Sequence, residues 1–209
     1  MDNNFSELKD YSTRLNSAIS TVQQYAIDKL YTAISKRINS SSSIYLIGNG
    51  GSQANAHHIA GDYLKSFCVN NTQLRISCLG DNICYLTAVS NDLSYEESYK
   101  VLVGSLIQKN DFIIYLSGSG NSLNLVKCAQ KAYSEEIEQA SITAFNGGAL
   151  SKIVDISIYI DVEDMEIAED CQLIIFHHLK QRLLASIVEK NKQQSMTKYI
   201  KRTIEDLVS

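Results

Sequence analysis

Apolar residues fall along this 209-residue chain in two alternating rhythms. Between residues 3 and 38, Leu8, Leu15, Ile19, Val22, Ala26, Leu30, Ala33 and Ile34 recur at helical spacing and predict one or two amphipathic helices. After a polar break at 40–43 (SSSS), short apolar runs alternate with helix-period segments. The runs 44–48 (IYLIG), 74–79 (LRISCL), 111–117 (DFIIYLS), 139–146 (QASITAFN) and 155–161 (DISIYID) predict five strands. Segments 52–67, 82–89, 95–108 and 120–134 predict helices, and a longer helix is expected from 165 to 190 with a polar helical tail after it. Strands apolar on both faces and separated by helices form a parallel sheet covered on both sides. The pattern therefore predicts an α/β fold: one domain with a five-stranded parallel sheet in three layers, α/β/α.

The serine break is too short for a flexible interdomain linker. The organisation expected is an N-terminal helical oligomerisation segment over 1–40, a domain over 41–192 and a helical tail over 193–209. No strand precedes the first segment, so its apolar stripe needs the domain or a second subunit to cover it. A net charge of −4 supplies no attraction for nucleic acid or an anionic membrane. No apolar run is long enough to span a bilayer, and the polar start MDNNFSELKDYS is not a secretory signal. The five cysteines are isolated, with no CxxC pair, and read as free thiols in a reducing, cytoplasmic setting.

Glycines cluster where predicted strands end. LIGNGGS (46–52) and LSGSGNS (116–122) each join a strand to a helix through glycines and hydroxyl residues. Ser52 and Ser119 are expected to cap the helices that follow, and amides at such helix starts favour an anion. Ser117, Ser119 and Ser122 add hydroxyl donors around one point, a density that suits a phosphate. Neither loop has the spacing of a dinucleotide fingerprint or a P-loop.

The histidines form two adjacent pairs, His57–His58 and His177–His178, about 120 residues apart. His58 and Asp62, four apart, share a helix face. On the late helix, Glu169 lies eight residues and Asp170 seven residues before His177, and the spacing of seven aligns better. If the two helices meet, two imidazoles and carboxylates could close on one divalent metal, and nitrogen and oxygen donors suit zinc.

GNGGS (48–52), AHHIAGDY (56–63), SND (90–92), LSGSGNS and the late helix with its histidine together resemble sugar isomerase (SIS) domains over about residues 5–190. The nearest branch is phosphoheptose isomerase, which converts sedoheptulose 7-phosphate to D-glycero-D-manno-heptose 7-phosphate. The resemblance implies a flavodoxin-like single SIS domain, a homotetramer with sites at subunit boundaries, and one zinc per subunit held by His58, Asp62, Glu169 and His177. It implies Asp62 and His177 as the catalytic pair. Substrate contacts would come from Asn49, Gly50, Gly51, Ser52, Asn91, Asp92, Ser117, Gly118, Ser119, Ser122 and Glu169. The tyrosines are assigned no catalytic part.

Three features depart from the family pattern. Asp62 stands where the family has Glu, Glu169 stands where it has Gln, and SF and MEIAED replace arginine-rich segments. Aldose–ketose isomerisation needs a base for a C–H proton, an acid for the carbonyl oxygen and stabilisation of an enediolate. Asp62 is the expected base and His177 the expected acid. The alternatives are a non-catalytic SIS adaptor that binds the bacterial replication initiator, which ANAHH and DNICYLTAVSND resemble as much, or an isomerase of another phosphosugar. An adaptor has no need of His177 or of an acid at position 62.

Overall fold

A computed structural model describes residues 7–208, with side chains from 7 to 189; residues 3–6 of the first helical prediction lie outside the described residues. Two helices, α1 (Leu8–Ser20) and α2 (Gln24–Ser35), precede β1 (Ser43–Ile47). There follow α3 (Gly50–Val69), β2 (Arg75–Cys78), α4 (Ile83–Asp92), β3 (Phe112–Ser117), α5 (Leu123–Ser134), β4 (Glu138–Thr143), α6 (Leu150–Ile153), β5 (Ile156–Tyr159) and α7 (Met165–Val208). Each predicted strand is present within a few residues of its expected limits.

The sheet order is β2-β1-β3-β4-β5 and every pairing is parallel. The chain steps outward from β1 to β2, then returns past β1 to β3 and continues the other way. This reversal sets the carboxyl ends of β1 and β3 side by side, the place where open parallel sheets bind ligands. Both glycine loops leave from those two ends.

Alternate residues of the strands feed two cores. Ile44, Leu46, Ile114 and Ile142 face α2, α3 and α7, where Leu30, Ile34, Ile59, Tyr63, Phe67, Phe176 and Leu179 are buried. Tyr45, Ile47, Ile113 and Tyr115 face the opposite layer with Leu125, Cys128 and Ala129 of α5 and Leu150 of α6. β3, FIIYLS, is buried at every position, as a central strand covered on both sides requires.

The N-terminal stripe finds its cover within the chain. Ile27, Leu30, Ala33 and Ile34 of α2 and Ala18 of α1 belong to the first core, with Leu15 and Ile19 packed against it. Tyr11 donates to Asp170 at 2.7 Å and Arg14 to Asp164 at 2.6 Å, tying α1 to the start of α7. The late helix and its tail form one helix of 44 residues that crosses the expected boundary at 192/193 without a break.

The segment 95–108 is not the expected α-helix. It holds two short 3₁₀ turns, Tyr95–Glu97 and Lys100–Leu102, and then a bend at Gly104. Tyr99, Val103 and Ile107 are all buried, which accounts for the four-residue apolar spacing. The turns end at Leu102, Val103 is extended, and Gly104 follows at a left-handed φ of +88° that suits glycine.

Candidate active site

The site is built on two parallel helices. α3 starts directly after β1, and α7 packs along it with a nearly constant offset. Ser52 meets Glu169, Asn55 meets Gln172, His58 meets His177 and Asp62 meets Lys180, at separations of 117, 117, 119 and 118 residues. Residues three or four apart share a helix face, so this register stacks four side-chain pairs along one seam. The hydroxyl of Tyr63, fully buried, donates to the Phe176 carbonyl at 2.8 Å and rivets the seam next to the histidines. Burial pushes that phenol well above its ordinary pKa, so it remains a donor.

His58 and His177 turn their Nε2 atoms toward each other at 3.1 Å, with the rings at 84°. Donor atoms of His58, Asp62 and His177 all lie within 4.8 Å of one another. Tetrahedral ligands at about 2.0–2.1 Å from zinc stand roughly 3.3 Å apart, close to the spacing of the two imidazoles. Two imidazole nitrogens and a carboxylate oxygen therefore make a donor set that can hold a divalent metal ion, with the imidazoles at a spacing that suits zinc. His57 and His178 are exposed and stand outside this group.

Glu169 departs from the four-ligand expectation. Among the described residues the converging group is His58, Asp62 and His177, without it. The Glu169 carboxylate lies two turns away along the seam, at the first turn of α3, where Ser52 Oγ donates to Oε1 at 3.3 Å. A methyl on Gly51 would fall 2.1 Å from Oε2, so the carboxylate takes the space a side chain at position 51 would occupy. The physical reason is helical rise: eight residues at about 1.5 Å each set Glu169 roughly 12 Å along α7 from His177, beside Ser52 rather than His58. Asp170, which spacing alone favours, turns instead to Tyr11 on α1.

The second loop, 117–122, opens α5. Ser117 is buried and its Oγ accepts from the Gly120 amide at 3.1 Å, which folds the loop on itself. Ser119 Oγ accepts from the Asn121 amide at 3.3 Å rather than capping α5. Ser122 is the residue that precedes α5, and its side chain makes no cap hydrogen bond. Ser52 likewise lies inside α3, which Asn49 precedes, so neither expected serine cap forms. Gly118 is buried beneath the loop.

Asn49 joins the two loops. Its amide exchanges hydrogen bonds with Asn124 in the first turn of α5, at 2.9 and 3.0 Å, and accepts another from Tyr95 Oη at 2.7 Å. Gly50, at the start of α3, has a φ of +55°. Asn91 and Asp92 end α4, exposed and joined by their own amide–carboxylate hydrogen bond at 3.0 Å.

Sequence reasoning did not single out four residues of this neighbourhood: Tyr95, Asn124, Gln172 and Lys180. Gln172 is buried and spans Asn55 and Ser52. Lys180 forms an ion pair with Oδ2 of Asp62. The three-residue step from His177 to Lys180, beside the four-residue step from His58 to Asp62, is the signal that could have found it.

Comparison with known proteins matches the chain to a family. The SIS domain model matches residues 8–144. A probable phosphoheptose isomerase of Thermoplasma volcanium is 29% identical over 171 residues, covering 82% of this chain and 87% of that protein. A phosphoheptose isomerase of Helicobacter pylori is 28% identical over 168 residues, covering 80% and 88%. The solved phosphoheptose isomerase GmhA of Neisseria gonorrhoeae aligns with a TM-score of 0.77 at 19% identity, over 84% of this chain and 94% of that one, and supports the fold. With its five-stranded parallel sheet, paired glycine loops and a family match over well more than half its length, this chain belongs to the SIS domain family.

Proposed function

We propose that the protein is a phosphoheptose isomerase, interconverting sedoheptulose 7-phosphate and D-glycero-D-manno-heptose 7-phosphate through an enediol. The observation that carries this reading is the convergence of His58, Asp62 and His177 across the α3–α7 seam, in a chain whose curated relatives bear that name. The groups this reading assigns stand on the loops after β1 and β3, at the end of α4, and on the facing helices α3 and α7.

The phosphate is held by the 117–122 loop, through the hydroxyls of Ser117, Ser119 and Ser122 and the uncapped start of α5. Anchoring a phosphate remote from the reacting carbons holds those carbons in place. Asn49, fixed by Asn124 and Tyr95, presents the β1 loop to the sugar, with Gly50, Gly51, Ser52, Asn91 and Asp92 as further substrate contacts. Asp62 takes the C–H proton as base, with Lys180 paired to its carboxylate. His177 serves the carbonyl oxygen as acid. Zinc held by His58, Asp62 and His177 would supply charge stabilisation of the enediolate. Glu169, at the start of α3, bounds the sugar pocket on the α7 side.

A cytoplasmic homotetramer is part of this reading. It is supported by α4, whose sequence ICYLTAVSND is rich in apolar residues although none of its residues is buried. Among the described residues no helix is long and apolar enough to cross a membrane. Light scattering on the purified protein measures the assembly.

An NMR assay on sedoheptulose 7-phosphate, joined to metal analysis, tests the reaction. Wild type is expected to turn over substrate, and His177→Ala to lose at least about 100-fold in rate. Turnover that survives His177→Ala removes the acid assignment. Absence of both metal and turnover in the wild type removes the isomerase reading and favours the replication-initiator adaptor.

A further inference from the structure

We infer that Lys180 is an internal counter-cation that sets how tightly the His58–Asp62–His177 group holds a divalent metal. The register that brings the two imidazoles together also delivers the Lys180 ammonium onto Oδ2 of Asp62. Both side chains are largely withdrawn from solvent, at 18% and 23% exposure. Charges placed so are screened less than a surface pair.

The donor group carries one negative charge, on Asp62, and Lys180 already neutralises it. An arriving dication then has two routes. It can bind beside an ammonium that stays on the carboxylate, and meet a positive charge one carboxyl group away. Or it can displace the ammonium, and the existing ion pair is lost. Both routes weaken metal binding relative to the same three ligands without the lysine.

A hydrogen bond to a ligating carboxylate can act the other way, by orienting it. Charge decides the sign here. A neutral donor would orient Asp62 equally well, whereas the repulsion between an ammonium and a dication scales with the product of their charges at a separation of a few ångströms. Lys180 is therefore a positioning residue that trades metal affinity for a charge-balanced, ordered Asp62.

This inference rests on the metal-site reading above, and the test separates the two. Cobalt(II) is titrated into the full chain and followed by its ligand-field absorption and by calorimetry, for wild type, Lys180→Met, Lys180→Gln and Lys180→Arg. Thermal melts establish that each variant is folded, and Lys180→Gln serves if Lys180→Met is not. The neutral variants are expected to bind cobalt at least about tenfold more tightly than wild type, in line with the size of outer-shell effects on metal sites. Lys180→Arg, which keeps the charge, is expected to stay near the wild-type affinity. Adding His58→Ala to a neutral variant should abolish the gain. Neutral variants that bind equally or more weakly overturn the inference, as does a gain that survives His58→Ala. Turnover of sedoheptulose 7-phosphate is scored separately: an active wild type with unchanged cobalt affinity in Lys180→Gln rejects the role of Lys180 and keeps the isomerase.

Discussion

Burial sorts the five cysteines into two reactivity classes. Cys68 and Cys84 are exposed, while Cys78, Cys128 and Cys171 are buried. Burial pushes the thiol of Cys128 up to about 12 and that of Cys171 up to about 11, and it raises Cys78 as well. The thiolate is the reactive form, so these three are protonated at pH 8. A thiol-reagent titration at that pH should show two fast thiols in the folded protein and three more on denaturation. Five fast thiols under native conditions would contradict the packing around α5 and α7. The free-thiol reading of the sequence needed only the absence of paired spacings, but which thiols are shielded depends on which strand and helix faces meet. The same holds at the site. His58, Asp62 and His177 were legible from a four-residue step and a helix-borne histidine, whereas the place of Glu169 was not. Its spacing from His177 fits a common helix face, but eight residues of helical rise set its carboxylate beside Ser52, away from the imidazoles.

The two glycine loops, as elements, depend on close backbone contact. Gly120 has a φ of +66°, and a Cβ added there would stand 2.2 Å from the Gly147 carbonyl oxygen. Backbone cannot give way as a flexible side chain can. Gly120→Ala should therefore cost about 1–3 kcal/mol in denaturant unfolding, the scale of a strained backbone position. It should also raise the KM for sedoheptulose 7-phosphate, because the loop proposed to seat the phosphate packs on that same 147–148 turn. Unchanged stability and unchanged KM would mean that this turn does not support the loop. Strand and helix identities at this scale were legible because β-branched runs and helix-period runs differ in rhythm. The failure at 95–108 has a local cause. Tyr99, Val103 and Ile107 share the helical period, but the chain makes two 3₁₀ turns, is already extended at Val103 and then bends at the left-handed Gly104.

For the whole molecule, acid should loosen the clasp between α1 and the start of α7. Partial burial of Asp164 opposes its ionisation, but the Ile167 amide and the Arg14 guanidinium outweigh that and hold its carboxyl below the usual range. A carboxyl depressed in the folded state contributes stability above its unfolded pKa and loses that contribution as pH falls through the folded value. The melting temperature should therefore drop as pH is lowered below about 4, the ordinary aspartate range. Asp164→Asn should melt lower at neutral pH and show a shallower acid slope. Identical slopes for the two proteins would assign the acid sensitivity elsewhere. This clasp joins residues 150 apart in the chain, and neither partner announces the other in the sequence.

The hydrophobic rhythm alone determined that this chain makes a three-layer fold with five parallel strands, because both-face burial leaves strands few other arrangements. Glycines at the ends of β1 and β3 marked two loops, and helical spacing set His58 beside Asp62. Tertiary structure decided the rest. The strand order put the two loops side by side, the parallel register of α3 and α7 brought His177 onto His58, and that register also set a lysine against Asp62. Local spacing describes one helix at a time, whereas the charge balance of a site is fixed only when two helices choose their offset.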